Sequence, residues 1–254
     1  MFVGRKQELK AIRSVLVQKS GSVLVYGKRK VGKTTLILEA LKGNADKTVY
    51  YECLKSSLQD NIDSFVSALV AAQVLPVRLG FASFQDVFGY LNTLPGTFNI
   101  VLDEYPYLKR FVAGETVDSI FQAVIDNHLS NIRLIISGSH IGMMKDLLEE
   151  KNALYGRFST VIRLTELNYK ESAAFYEEKS AYDKIAFYAV FGGSPFVNEQ
   201  LDAQSDLKTN IQELLLNPLS SVYAYADNLL LSDLSGSMNA ERIFSAIGNG
   251  RKKY

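Results

Sequence analysis

Short apolar runs alternate with longer amphipathic stretches over the first two-thirds of the chain. Residues 22–26 (SVLVY), 47–52 (KTVYYE), 98–102 (FNIVL), 131–136 (NIRLII) and 160–164 (TVIRL) read as strands. Helical patterns separate them, at 33–41, 57–72, 117–129 and 141–150, with a further helix capped by Ser83 and running to Leu94. In 57–72, Leu58, Ile62, Phe65, Val66, Leu69 and Val70 fall on one face at a 3.6-residue period. Strands apolar on both faces with helices between them predict a parallel sheet joined by right-handed crossovers. After Leu164 every pattern is helical: 169–178, 182–191, 205–216, 222–231 and 240–247. That change predicts an α/β unit over 1–165 and a small helical unit over 166–235.

Composition narrows the class. Of 254 residues, 47% are hydrophobic and 22% charged, which excludes disorder, collagen-like repeats and a coiled-coil rod. Lys and Arg number 28 against 27 acids, so the chain is not a globally basic coat for nucleic acid, although a local basic patch is compatible with it. One cysteine, Cys53, builds no intrachain disulfide, cysteine-ligated zinc site or iron–sulfur cluster, and the chain reads as cytoplasmic. The most apolar stretch, 65–75, is short and broken by Ser67 and Gln73, so no membrane partner is expected. The first residues turn polar at once and lack the apolar core of a signal peptide.

Gly27-Lys28-Arg29-Lys30-Val31-Gly32-Lys33-Thr34 matches GxxxxGK[ST] between a strand and a helix, the context a phosphate-cradling loop requires. Gly27 and Gly32 give the backbone conformations that a Cβ resists. The N–H groups of the loop and of the helix start, through Thr35, then face phosphate oxygens. Lys33 brings a point charge to the β- and γ-phosphates of ATP, and the Thr34 hydroxyl ligates Mg²⁺. The side chains of Lys28, Arg29 and Lys30 read as solvated, with only their backbone toward phosphate.

Residues 99–104 (NIVLDE) are an apolar strand ending in two acids. Behind a phosphate loop, Asp103 is expected to hold the Mg²⁺ shell and Glu104 to orient or deprotonate water. The strand at 134–136 ends in Ser137-Gly138-Ser139. Ser137 reads as a contact to the γ-phosphate or the attacking water, against the alternative of a turn serine; Ser139 suits a helix N-cap. His128 and His140 stand apart and read as surface and turn residues rather than metal ligands.

Together these motifs resemble a known family. Phe2-Val3-Gly4-Arg5-Lys6-Gln7-Glu8-Leu9 is similar to the opening segment of AAA+ ATPases of the STAND type, and GKRKVGKT, VLDEYPYL, LIISGSHIGMM, LYGR and FGGSP follow in the family's order. The whole resembles archaeal and bacterial ATPases that carry a nuclease-like C-terminal domain. The resemblance implies a P-loop NTPase, AAA+-like α/β fold: a parallel five-stranded sheet of order 5-1-4-3-2 followed by a helical lid domain. It places Val3, Gly4 and Arg5 near the adenine. It makes Pro195 of Gly193-Ser194-Pro195 a lid residue on the base, unless Gly192-Gly193 only ends a helix. It makes Arg157 a γ-phosphate-sensing or finger arginine, unless it pairs with a surface carboxylate. It reads 236–254 as the start of a truncated winged-helix-like segment. The implied function is an ATP-binding, Mg²⁺-dependent ATPase acting as a nucleotide-driven switch or motor module. The alternative is an ATP-gated DNA-binding or nuclease-associated effector whose output domain is missing. Expected partners are ATP and ADP, a second copy of the chain, and DNA through the missing domain.

Overall fold

The structure, a computed structural model, describes residues 2–109, 111 and 114–225. Two compact units divide between Leu167 and Asn168. The first runs, in chain order, α1 (Lys6–Leu16), β1 (Gly21–Tyr26), α2 (Lys33–Leu41), β2 (Lys47–Glu52), α3 (Leu58–Ala71), α4 (Phe84–Thr93), β3 (Phe98–Asp103), a 3-10 turn (Tyr105–Lys109), α5 (Gly114–Asn127), β4 (Ile132–Gly138), α6 (Ile141–Asp146) and β5 (Thr160–Arg163). All five strands are parallel and lie in the order β2-β3-β4-β1-β5. This is the expected order read from the opposite edge, with β1 and β3 flanking β4.

Alternation along the strands sorts the core into two layers. Leu24, Ile100, Leu102, Leu134 and Ile136 pack with Phe65, Phe88 and Phe121 from α3, α4 and α5. Val23, Val25, Val101 and Ile135 pack on the other face with Ile12, Val15 and Leu16 of α1 and Leu36, Ile37 and Ala40 of α2. Each fully buried aliphatic or phenylalanine side chain stabilises by about 1.5–3 kcal/mol. The same parity puts Asn99 and Asp103 beside Val101, and Arg133 and Ser137 beside Ile135, all on the α1–α2 face. At the strand starts, Arg133 donates to Asp46 (2.7 Å), Asn99 (3.0 Å) and the Gln18 carbonyl (2.6 Å). At the strand ends sit Asp103 and Ser137, and the chemistry gathers there.

Local signals account for most helix ends. Ser57 and Asp60 form a reciprocal capping box on α3, and Ser83 caps α4. Helix α6 starts at Ile141 as expected but differs in its cap and in its end. Its N-cap is His140, whose Nδ1 accepts from the Met143 N–H, because the Ser139 hydroxyl is drawn to Glu104. Its tail tightens into i→i−3 bonds at Leu148 and Glu149, so it stops at Asp146 rather than 150. Helix α1 was not among the expected helices, although Leu9, Ile12 and Leu16 carry its spacing.

The second unit contains α7 (Tyr169–Ser172), a 3-10 turn (Ala173–Tyr176), α8 (Ala181–Phe191), α9 (Pro195–Asn198), α10 (Leu207–Asn210) and a π-helical turn (Ile211–Leu215) around Tyr176, Phe187, Phe191, Val197 and Val222. Gly192 ends α8 at φ 66°, and Asn198 donates to the Gly192 and Ser194 carbonyls at 2.9 Å, bracing the turn before Pro195. The helix at 240–247, the end of that at 222–231 and the winged-helix-like segment at 236–254 lie outside the described residues. No helix among the described residues is long and apolar enough to cross a membrane.

Candidate nucleotide site

Parallel strands end at one edge, so the segments after β1, β3 and β4 meet there. The loop after β1 needs its two glycines for different reasons. A Cβ on Gly27 would lie 2.2 Å from the Leu164 carbonyl oxygen, so only glycine lets the end of β5 approach. Gly32, the N-cap of α2, has φ 93°, in the left-handed region. It offers no side-chain cap, which leaves the positive first turn of α2 for an anion. Val31 anchors the loop in the core, and its carbonyl accepts from Arg5 at 3.4 Å.

Lys33 is 6% exposed, and its ammonium donates to the Gly27 (3.1 Å) and Lys28 (3.0 Å) carbonyls. Burial pushes its pKa down, while the charges of Glu104 and Asp103 oppose the shift. Lys28, Arg29, Lys30, Thr34 and Thr35 are exposed. Arg29 is nevertheless engaged: its guanidinium donates to the Tyr107 Oη at 2.8 Å.

Asp103 is 4% exposed and accepts on both oxygens. Oδ1 takes the Ser137 hydroxyl and the Glu104 N–H (2.9 Å), and Oδ2 takes the Thr34 hydroxyl (2.8 Å) and the Tyr50 hydroxyl. Burial alone would raise its pKa, but the bonds from Ser137, Tyr50 and Thr34 hold it below the ordinary value. Tyr50 is pushed up, by burial first and then by its bond to that carboxylate. Glu104 follows the strand at φ 52°, and its carboxylate accepts from the Ser139 N–H (3.1 Å) and hydroxyl (2.8 Å). Among the described residues, three of the four non-glycines at positive φ, Arg5, Lys30 and Glu104, lie in the segments that build this edge.

The N-terminal segment reaches the same edge. Arg5 is buried and donates to the Val31 and Thr165 carbonyls, with Val3 and Gly4 half-buried before it. Ser137 is fully buried and its hydroxyl donates to Asp103 Oδ1. Arg157 lies before β5: its carbonyl accepts from Ser22 at the start of β1, and its guanidinium sits on Asp126 at 3.0 Å. It is therefore a strand's length, roughly 16 Å, from the phosphate loop and does not reach it within one chain. Pro195 is the first residue of α9 in the second unit. Sequence reasoning missed Tyr50 and the bond from Ser139 to Glu104. Only the pairing of Tyr50 with Val101 across β2 and β3 puts that phenol beside Asp103.

The donor set suits a small divalent cation. An ionised carboxylate and a hydroxyl 2.8 Å apart are hard oxygen ligands, and Mg²⁺ typically takes one or two such groups together with substrate phosphates. A model of a family of ATPase domains, predominantly from Archaea, matches residues 2–201.

The chain belongs to this ATPase family.

An uncharacterised relative from Methanocaldococcus jannaschii is 32% identical over 205 residues, which is 79% of this chain and 44% of the relative. The chain thus spans less than half the length of that relative. Among solved structures, this ATPase chain is similar to the Walker-type ATPase of Pyrococcus abyssi (18% identity, 92% of this chain and 75% of the other, TM-score 0.63). It is also similar to the ORC1 protein of Aeropyrum pernix solved with DNA (15%, 97% and 72%, TM-score 0.57) and to a STAND protein with a tetratricopeptide-repeat sensor from Pyrococcus horikoshii (17%, 84% and 32%, TM-score 0.52). The fold is that of P-loop ATPases.

Proposed function

We propose that this chain binds ATP with Mg²⁺ and hydrolyses it, serving as a nucleotide-driven switch or motor module of the AAA+ STAND kind. The observation that carries the reading is the Thr34–Asp103 pair beside a buried Lys33. The loop N–H groups from Lys28 to Thr35 and the first turn of α2 take phosphate oxygens. Lys33 leaves its carbonyl partners for the β- and γ-phosphates, an exchange that favours it because an anion is a stronger acceptor than a carbonyl. Thr34 and Asp103 would hold Mg²⁺, which when bound neutralises phosphate charge. Glu104 orients the attacking water after leaving Ser139. Val3, Gly4 and Arg5 border the base, with Arg5 fastening that segment to the loop. Pro195 and the helical unit are read as the lid whose state the nucleotide changes.

Titration with ATP, ADP and adenosine tests this. Lys33→Ala should weaken ATP strongly and leave adenosine within about threefold, since only phosphates meet the ammonium. Unchanged ATP affinity in that variant would falsify the phosphate-loop assignment. A second reading, an ATP-gated DNA-binding or nuclease-associated effector, draws on the fold shared with the DNA-bound ORC1 structure. DNA binding that falls steeply with salt would favour it.

A further inference from the structure

We propose that Arg29, not Arg157, is the arginine that meets the γ-phosphate, acting within the same chain from a resting place on Tyr107; this rests on the ATP-hydrolysis reading above. Three observations converge on Arg29.

The first is location. Arg29 belongs to the phosphate loop itself, two residues after Gly27, whose carbonyl receives the Lys33 ammonium. The second is what it touches. Its guanidinium crosses to the Tyr107 Oη at 2.8 Å, and the Tyr107 N–H donates to the Glu104 carbonyl at 2.9 Å. The side chain thus ties the loop to the turn that carries the water-orienting acid. A group bound between Lys33 and Glu104 lies between those two anchors.

The third is the chemistry of the resting contact. A phenol is a neutral acceptor, and it uses one of the guanidinium's five donors. Lys55 places its ammonium 4.7 Å from the centroid of the same Tyr107 ring. Among the described residues neither Arg29 nor Lys55 pairs with a carboxylate. A guanidinium held by one neutral acceptor moves readily to an anionic oxygen, where it gains an ion pair and two-point hydrogen bonding. Arg157 has a carboxylate already and sits at the other end of the sheet.

In hydrolysis the water oxygen bonds to the γ-phosphorus and a water proton passes to Glu104. The bond from that phosphorus to the bridging oxygen breaks, with its electron pair leaving on ADP. Negative charge grows on the bridging oxygen and spreads over the γ-phosphoryl group, and a guanidinium beside that group stabilises it.

The test compares parent, Arg29→Ala, Arg29→Lys, Tyr107→Phe and Lys33→Ala, all as the full chain with Mg²⁺. ATP and ADP are titrated separately, ADP is titrated with aluminium fluoride, and single-turnover phosphate release is followed. Arg29→Ala should lose about 10- to 100-fold in ATP affinity and keep ADP affinity within about threefold. It should also lose the extra affinity for ADP with aluminium fluoride, and slow hydrolysis by about 10²–10³-fold. Arg29→Lys should recover part of the ATP affinity, since charge returns without the planar fork. Tyr107→Phe should stay near the parent, because the phenol is only the resting partner. Equal loss of ATP and ADP in Arg29→Ala, or no loss of either, overturns the proposal while the ATPase reading stands if Lys33→Ala fails to bind ATP. A parent that binds ATP without turning over is decided by the affinity ratios alone. A parent that binds no nucleotide overturns the ATPase reading and this proposal with it.

Discussion

Replacing Asp103 by asparagine puts one buried carboxylate to a quantitative test. The acid accepts from Ser137 and the Glu104 N–H on Oδ1, and from Thr34 and Tyr50 on Oδ2. Asparagine has one acceptor oxygen and one donor NH₂. The Glu104 N–H can only donate, so the amide oxygen must take the Oδ1 side. The NH₂ then faces two hydroxyls, which can rotate to accept from it. No partner is stranded, but four bonds to an anion become neutral ones. Each such change costs about 1 kcal/mol, roughly 4 in all, and the relief of no longer burying a charge offsets part of that. The expected loss of stability is about 1–3 kcal/mol, read by urea unfolding without nucleotide. The functional effect separates cleanly from it. With EDTA present, ATP should bind Asp103→Asn at least as well as the parent, because a negative charge near the phosphates is gone. With Mg²⁺ the parent should gain affinity and the variant should not. If Asp103→Asn keeps the full Mg²⁺ gain, the metal is held elsewhere; if its unfolding midpoint equals the parent's, the four-bond arrangement around this acid is wrong.

Glu104→Gln preserves shape and one acceptor, so it should retain ATP while slowing phosphate release about 10²–10⁴-fold under single turnover; the parent rate in that variant would reduce Glu104 to a strand-end acid held by Ser139. Gly27→Ala should destabilise on the order of 3 kcal/mol, since its Cβ meets the Leu164 carbonyl oxygen at 2.2 Å and the end of β5 must shift. Gly80→Ala, where a Cβ meets nothing within 4 Å, is the control and should not lose stability. Equal denaturation midpoints for the two alanine variants would refute the close-approach explanation of Gly27.

Local periodicity carries much of this protein. Strand 47–52 and helix 33–41 appear with the bounds read from the chain, because alternation and a 3.6-residue period depend only on near neighbours. The phosphate loop and the acid pair were equally legible, since each is a contiguous string whose chemistry follows from its residue types. Helix α1 is legible too, through the spacing of Leu9, Ile12 and Leu16. The strand order came from likeness to a family, as periodicity contains no record of which strands are neighbours.

What the sequence could not determine are relations between residues far apart in the chain. Tyr50 and Thr34 reach one oxygen of Asp103 across 53 and 69 positions, and Ser137 reaches the other across 34. Those meetings depend on register, which local pattern leaves open. The same register sends Arg157 to the far end of the sheet, onto Asp126, and brings Arg29 to Tyr107, contacts that local pattern does not contain. Residue types specified which chemistry the chain carries. Pairing of the parallel strands decided which side chains share a site, because each strand's partner is set by the packing of the whole sheet and its helices.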